Sequence, residues 1–408
     1  MRKMKKRAIW FCQPKFWSQP MQKKLPLNPG EMLGMMGGGQ LGRMFAIEAA
    51  YMGYHVTVLE PGERPPAAEV SLQHIAQAYL SEQSLDELAR ESAAVSTEFE
   101  NVPAQALDRL AKNTFVAPPG SAVAIAQDRN AEKHFIESVA HVPVAPHCRI
   151  CSQEDIEKAD ESLFPAILKT ARLGYDGKGQ VLVDSREQLY AAFESLKKVD
   201  CILEKRLSLY KEVSVIVARS YNGQTATFPV CENRHRNGIL AVTVMPARVT
   251  DEISNQARQY ATQIVDALGY TGVLCVEFFV LQDGSIVANE MAPRPHNSGH
   301  ATIDACWSNQ FEQQLRCMTG QPLADTTQHT PAVMLNLLGD IWFDGDNVRE
   351  PDWSGVLAVP GVKLHLYGKA QARRARKMGH ITCLGHTLEE ALDRAKEVAR
   401  ILNLPEPQ

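Results

Sequence analysis

Residues 271–300 read TGVLCVEFFVLQDGSIVANEMAPRPHNSGH, and the rest of the chain is best understood from this stretch. Two apolar, β-prone runs, 272–281 and 285–288, flank Asp283-Gly284, a pair suited to a tight turn because both residues tolerate positive φ. The spacing predicts an antiparallel hairpin with one acid on each strand. Glu277 sits between Val276 and Phe278, and Glu290 follows Val287-Ala288-Asn289. Carboxylates among apolar neighbours are costly unless a cation or donor compensates them. Two acids facing one space suit a hard divalent ion, and Mg²⁺ favours a few carboxylates completed by phosphate oxygens. The implied ligand is a metal-bound nucleoside triphosphate. Either acid alone would equally fit the solvent face of a half-buried hairpin. Arg294, Asn297 and His300 follow within one loop.

At 408 residues and 45.2 kDa the chain exceeds one ordinary core, which predicts two or three domains. Its hydrophobic share of 45% and charged share of 22% are those of a globular protein rather than a disordered one. A net charge of −4 argues against nucleic acid as the main partner, and no apolar run approaches a membrane span. The nine cysteines are scattered and odd in number, as expected of reduced thiols in a cytoplasmic protein. Cys148 and Cys151 form a lone CxxC without a second pair. Residues 1–30 carry eight lysines and arginines and no acid, and read as a disordered leader. A translation start near Met32 would account for them equally well.

From Met32 the chain reads as a βαβ unit. A short apolar run enters Gly37-Gly38-Gly39-Gln40-Leu41-Gly42, a helical pattern covers 43–52, and a second strand, 55–59, ends at Glu60. Gly37, Gly39 and Gly42 fit GxGxxG, which alone predicts NAD; glycines at a helix start would also serve any phosphate or carboxylate. A third strand, 93–97, leads into Glu98-Phe99-Glu100, acids at a strand's carboxyl end, where open α/β sheets bind ligands. Pro118-Pro119-Gly120 marks a domain exit, and the helix expected over 121–140 places Arg129 and Lys133 on one face.

The middle of the chain offers a strand over 164–169 that ends in Lys169. Gly174-Tyr175-Asp176-Gly177-Lys178-Gly179-Gln180 and a strand over 181–184 follow. Glycines and a lysine between strands suit a flap closing on phosphates, and the lysine lacks the Ser/Thr and helix of a Walker loop. A strand over 201–204 ends in Glu204-Lys205-Arg206-Leu207, a hinge able to read an adenine edge through its backbone while an acid takes ribose hydroxyls. Glu212 opens a strand over 213–218, and His235 lies in a polar stretch.

This order resembles the ATP-grasp superfamily. GGGQLGRM, TEFENVP, GYDGKGQ, NEMAPRPHNSGH and RKMGH together resemble, more narrowly, the N5-carboxyaminoimidazole ribonucleotide synthase family, from about Met32 to near the end. The wider superfamily's ExNxR reads Glu290-Met291-Ala292-Pro293-Arg294 here, which favours the narrower family. The resemblance implies a mixed α/β and α+β fold: a Rossmann-like domain over 31–125, an ATP-grasp core over 126–325 with a lid near 145–205, and a small β-rich domain over 326–408. It implies ATP-dependent carboxylation of aminoimidazole ribonucleotide with bicarbonate by a cytoplasmic enzyme, a homodimer by analogy, using Mg²⁺ or Mn²⁺.

Glu277 and Glu290 are the implied metal ligands. The implied ATP site is Arg129, Lys169, Gly174, Tyr175, Asp176, Gly177, Lys178, Gly179, Gln180, Glu204, Lys205, Arg206, Leu207, Glu212, His235, Asn289 and Glu290. Arg294, Asn297 and His300 are implied at bicarbonate and carboxyphosphate, with Asp176 and Lys178 catalytic. Tyr175, Asp176 and Lys178 face both substrates. The ribonucleotide is expected at Gln40, Leu41 and Glu98, with its phosphate on Lys369 and Arg376. These two lie in the cationic hairpin 368–380, between strands expected at 333–338 and 362–367 and a covering helix at 388–402. Five cations there would also fit nucleic acid, but a single phosphate suits an acidic protein better. Where the family has a Pro-Gly turn this chain has Arg374-Ala375. Two rival readings are a sibling enzyme that activates formate for glycinamide ribonucleotide, and a nucleotide sensor or NAD-binding module.

Overall fold

The computed structural model describes residues 25–174 and 179–407. Three main sheets account for the architecture, with helices packed on them. The first is parallel: β1 (Met32–Met36), β2 (His55–Leu59), β3 (Gln73–Ile75), β4 (Ala94–Thr97) and β5 (Phe115–Val116), in the order β3-β2-β1-β4-β5. Its three central strands, β2, β1 and β4, are nearly all buried, as expected where helices cover both faces. The helix after β1 starts at Gln40, three residues earlier than its apolar period suggests. Residues 25–30, expected in the leader, belong to the fold: Leu27 is buried, and its carbonyl accepts the Tyr54 hydroxyl at 2.9 Å. The leader's first 24 residues lie outside the described residues.

The second sheet is antiparallel and four-stranded: β6 (His147–Ile150), β7 (Ala166–Thr170), β8 (Gln180–Val183) and β9 (Cys201–Lys205), in the order β6-β9-β7-β8. The third has nine strands. It begins with β10 (Leu209–Arg219), β11 (Thr225–Thr227), β12 (Cys231–Arg236) and β13 (Ile239–Met245), and continues with β14 (Gly272–Leu281), β15 (Ile286–Ala292) and β16 (Ala332–Leu338). A two-stranded ribbon, β17 (Phe343–Asp344) and β18 (Asn347–Val348), precedes its last members, β19 (Val362–Leu366) and β20 (Lys377–Leu384). The order β15-β14-β10-β12-β13-β16-β20-β19 makes one sheet run from the acid-bearing hairpin to the cationic one. The join is β13 against β16, with Val242 opposite Leu335 and Val244 opposite Val333.

Two local expectations differ, and one turn has an unusual conformation. The helix expected over 121–140 is broken: it stops at Ala126, and Asp128 starts a new one, Arg129–His134, by accepting the backbone N–H groups of Asn130 and Ala131. Asp is a strong N-cap, and a cap in the middle of a helical pattern ends one helix by beginning another. The polar stretch around His235 is the strand β12; its polar side chains are satisfied by charge, with Glu232 accepting Lys211 at 2.8 Å and Arg248 Nε at 3.0 Å. At the Arg374-Ala375 turn, Ala375 has φ +61°, a left-handed conformation that a glycine adopts freely and that costs an L-residue roughly 1 kcal/mol.

Candidate active site

The hairpin register sets the centre of the site. Pairing puts Glu277 directly opposite Glu290, with a register break immediately after Glu277. β15 runs on to Ala292, so Glu290 lies within the strand and both carboxylates stand at one level. Burial raises the Glu277 carboxyl above its usual range, and the neighbouring Glu290 charge raises it further. Burial opposes ionisation of Glu290 too, but Arg129, with Nη1 at 2.8 Å, more than offsets it and keeps that carboxyl low. Arg129 is the first residue of the helix that Asp128 caps. One acid thus has its cation and the other has a like charge. Beside them, Asn289 Oδ1 is buried without a hydrogen-bond partner. Two carboxylates and a free amide oxygen are hard donors that fit Mg²⁺ or Mn²⁺. Among the described residues no group of three His, Cys, Asp or Glu side chains is placed to hold a metal, so phosphate oxygens suit the remaining positions.

A cleft of about 410 Å³ opens over this pair. Of the residues singled out from sequence, Arg129, Lys169, Gly174, Gln180, Glu212, His235, Glu277, Asn289, Glu290, Arg294 and Asn297 line it. A second cavity of about 600 Å³ adjoins it, sharing Ile167, Lys169, Leu209 and Phe279. Lys205, Arg206 and Leu207 form its other edge. Apolar walls such as Ala145, Ile167, Leu209 and Phe279 beside the hinge segment suit a flat heterocycle. The hinge acid is placed differently from expectation: Glu204 forms an ion pair with Lys133 at 3.0 Å and accepts Lys169, so its carboxylate is already engaged. Glu212, at the cleft wall and 2.6 Å from His235 Nδ1, is better placed for hydroxyls. Burial lowers the His235 pKa, but the Glu212 hydrogen bond and the nearby acids more than reverse this.

Arg294 donates from Nε to Glu100 Oε2 at 2.5 Å, which fixes its guanidinium at the cleft mouth. Asn297 is buried, and neither polar atom of its amide has a partner, so the amide is free to meet a ligand. His300 does not line the cleft. It is packed behind the wall, its Nδ1 2.9 Å from Gln310 Nε2 and its ring 4.7 Å from that of His380. Tyr175, Asp176, Gly177 and Lys178 lie outside the described residues; Gly174 and Gly179 flank them.

The glycine-rich loop is filled from within. Glu98 accepts the N–H of Gly39 and, at 2.7 Å, that of Gly42, so a side-chain carboxylate occupies the helix start where a dinucleotide phosphate would sit. Burial nevertheless raises the Glu98 carboxyl. Glu60, at the end of β2, accepts Gly38 N–H at 3.0 Å and the Tyr79 hydroxyl, and is equally engaged. These contacts argue against the NAD reading. Gln40 opens the same helix, and Leu41 is buried in its core. Lys369 lies within reach of the Glu98 charge, with Nζ donating to the Lys377 carbonyl at 2.6 Å; burial, then the Arg376 charge, push its pKa down to about 8. Arg376 donates to the Gln371 carbonyl at 2.8 Å from an exposed position.

Four residues to which the sequence reading assigned no ligand, Glu100, Glu132, His296 and Lys377, also line the cleft. His296 Nε2 is 3.4 Å from Glu277, and burial keeps its pKa well below the usual value. Glu132 accepts the Met291 N–H at 2.6 Å, and burial with the Glu290 charge pushes its pKa up to about 8. Glu100 was read with Glu98 as an acid past a strand's carboxyl end, and His296 and Lys377 lie in NEMAPRPHNSGH and RKMGH, segments already singled out.

Comparison with known proteins agrees along the whole described architecture. Residues 31–127 match the ribonucleotide synthetase preATP-grasp domain, 135–311 the ATP-grasp domain, and 332–394 the phosphoribosylaminoimidazole carboxylase C-terminal domain. The chain is 44% identical over 362 residues to the N5-carboxyaminoimidazole ribonucleotide synthase of Brucella melitensis, covering 88% of this chain and 98% of that protein. A crystal structure of an ADP complex of N5-carboxyaminoimidazole ribonucleotide synthetase superposes with a TM-score of 0.85 at 41% identity, covering 92% of this chain and 98% of that one. An Aspergillus clavatus N5-carboxyaminoimidazole synthase in complex with ADP and 5-aminoimidazole ribonucleotide gives 0.83 at 30% identity, covering 91% and 98%. With three domain matches in this order and that identity over nearly the full length of a relative, the chain belongs to the N5-carboxyaminoimidazole ribonucleotide synthase family.

Proposed function

We propose that the two adjoining cavities hold ATP and that the chain uses it to carboxylate 5-aminoimidazole ribonucleotide with bicarbonate. The products are N5-carboxyaminoimidazole ribonucleotide, ADP and phosphate, a step of purine biosynthesis. The observation that carries this reading is the opposed pair Glu277 and Glu290, next to Lys169 and Arg129, in a cleft continuous with an apolar hinge slot. The Aspergillus relative with ADP and 5-aminoimidazole ribonucleotide bound supports both ligands. A bicarbonate oxygen attacks the γ-phosphorus as the bond to ADP breaks, giving carboxyphosphate. The exocyclic amine then attacks the carboxyl carbon of carboxyphosphate as phosphate departs, or attacks CO₂ formed once phosphate has left, and in either case loses a proton.

Such chemistry needs positioning and charge neutralisation rather than a covalent nucleophile. Glu277, Glu290 and Asn289 would hold Mg²⁺ or Mn²⁺, which supplies charge neutralisation at the phosphates. Lys169 and the glycine-rich flap, with Gly174, Tyr175, Asp176, Gly177, Lys178, Gly179 and Gln180, cover the phosphates and exclude water from carboxyphosphate. Lys205, Arg206 and Leu207 present backbone to the base, Glu212 and His235 meet the ribose side, and Arg129 holds Glu290. Arg294 and Asn297 bind bicarbonate, with His300 bracing their loop from behind. Tyr175, Asp176 and Lys178 are assigned to both substrates, and the ribonucleotide's imidazole side is assigned to Gln40, Leu41 and Glu98 and its phosphate to Lys369 and Arg376. We assign residues 31–125, 126–325 and 326–408 to three domains, with the lid over about 145–205, and expect a cytoplasmic homodimer. No helix among the described residues is long and apolar enough to cross a membrane.

Phosphate release from Mg-ATP tests this. Release should require both aminoimidazole ribonucleotide and bicarbonate for full rate; release supported only by formate and glycinamide ribonucleotide would move the chain to the sibling chemistry. Arg376→Ala should raise KM for the ribonucleotide about tenfold or more with KM for ATP nearly unchanged, because a phosphate contact far from the adenine slot is lost. An equal rise for both substrates would remove Arg376 from the phosphate site.

A further inference from the structure

Lys133 lines neither cavity, and its side chain is only 1% exposed. Its Nζ is 3.0 Å from Glu204 Oε1 and donates to the backbone carbonyl of Asn289 at 2.6 Å. The other oxygen of Glu204 takes Lys169, so one carboxylate, 5% exposed, lies between two ammonium groups. The two lysines are not equivalent. Lys169 forms part of the wall of both cavities, where phosphate oxygens can compete for it. Lys133 is sealed from ligand, and its second contact is the carbonyl of the residue immediately before Glu290. It therefore ties the hinge strand β9, which carries Glu204, to β15, which carries Glu290.

Resting on the ATP reading above, we infer that Lys133 is a positioning residue. It bridges Glu204 to the Asn289 backbone, holds the adenine end and the metal end of the nucleotide site at a fixed spacing, and keeps Glu204 in place when Lys169 turns to the phosphates. A sealed ammonium suits this task because its alternative, a buried charge with no partner, is strongly unfavourable. Groups that hold a site's ligands without touching substrate typically change activity about 10–100-fold when removed.

The test compares Lys133→Met, Glu204→Gln and the double variant, measuring ADP affinity by calorimetry, kinetic constants and melting temperature. Lys133→Met should weaken ADP binding and lower kcat/KM for ATP about tenfold or more, with KM for the ribonucleotide changed less than about twofold. The double variant removes both fully sealed charges and leaves only Lys169, which lines both cavities, so it keeps the kinetics readable if Lys133→Met folds poorly. It should remain about tenfold worse than Glu204→Gln alone, because the bridge to Asn289 is still missing. A double variant equal to Glu204→Gln, or a Lys133→Met enzyme with wild-type ADP affinity and kinetics, would overturn the inference. A parallel rise in KM for the ribonucleotide would overturn it as well, by making the effect general. Failure of the carboxylation reading is separate: wild-type protein would then release no phosphate with aminoimidazole ribonucleotide and bicarbonate, while ADP affinity would still report on Lys133.

Discussion

Glu290→Gln is expected to lower ATP-dependent carboxylation by about 10³-fold or more while leaving the protein folded. The amide keeps the shape of the side chain and one oxygen, but removes the charge that the opposed pair would offer a divalent ion. Arg129 loses its ionised partner at 2.8 Å. Because the Glu290 side chain is 40% exposed, water screens that loss, which should not exceed about 1 kcal/mol. Glu277 meanwhile gains: its carboxyl is raised by burial and by the Glu290 charge, and without that charge it ionises more readily. The melting temperature should therefore move little, and ADP should still enter the hinge slot in the absence of metal. Metal titration of phosphate release is the measurement, and a variant with kcat within roughly tenfold of wild type would take Glu290 out of the metal site.

Arg294→Met should separate binding from chemistry. The guanidinium sits in the same cleft as the metal pair but belongs to the loop after it, held by Glu100. Burial opposes the Glu100 charge, and Arg294 more than compensates, so Glu100 stays ionised in its company. Loss of a positioned cation at the bicarbonate site should reduce carboxylation about 10²–10³-fold. ADP affinity should stay within about threefold, since nothing in the hinge slot has changed. The orphaned Glu100 should cost about 1–3 kcal/mol of stability, and Glu100→Gln in the same chain should recover most of it without restoring rate. Recovery of rate together with stability would show that Arg294 serves the fold alone.

What could be read from the sequence followed from how local each signal was. The hairpin was legible because its alternation and its Asp283-Gly284 turn fix the register within thirty residues, and that register is what sets Glu277 against Glu290. The glycine-rich opening was legible as a βαβ unit but ambiguous as a ligand site, because the group that fills it, Glu98, lies 59 residues from Gly39. Arg129 reaches Glu290 across 161 residues and Arg294 reaches Glu100 across 194, separations at which spacing carries no information. The strand holding His235 was read as a polar stretch because Glu232 is buried through Lys211 and Arg248 rather than through apolar neighbours. The helix break before Arg129 had a local signal, Asp128, outweighed by the helical pattern on either side.

The pairing of β13 with β16 has a mechanical meaning. A load applied at the cationic hairpin passes through backbone hydrogen bonds, strand by strand, to the acid pair at the opposite edge. That plate is continuous across its width, whereas the four strands within residues 147–205 form a separate leaf that joins it directly between Lys205 and Leu209. A shift of that leaf would break no hydrogen bond of the plate, and Lys133, which ties β9 to β15, limits how far it can go. The plate therefore acts as a ruler: strand pairing sets the spacing between the strand that carries Lys377 and the strand that carries Glu290.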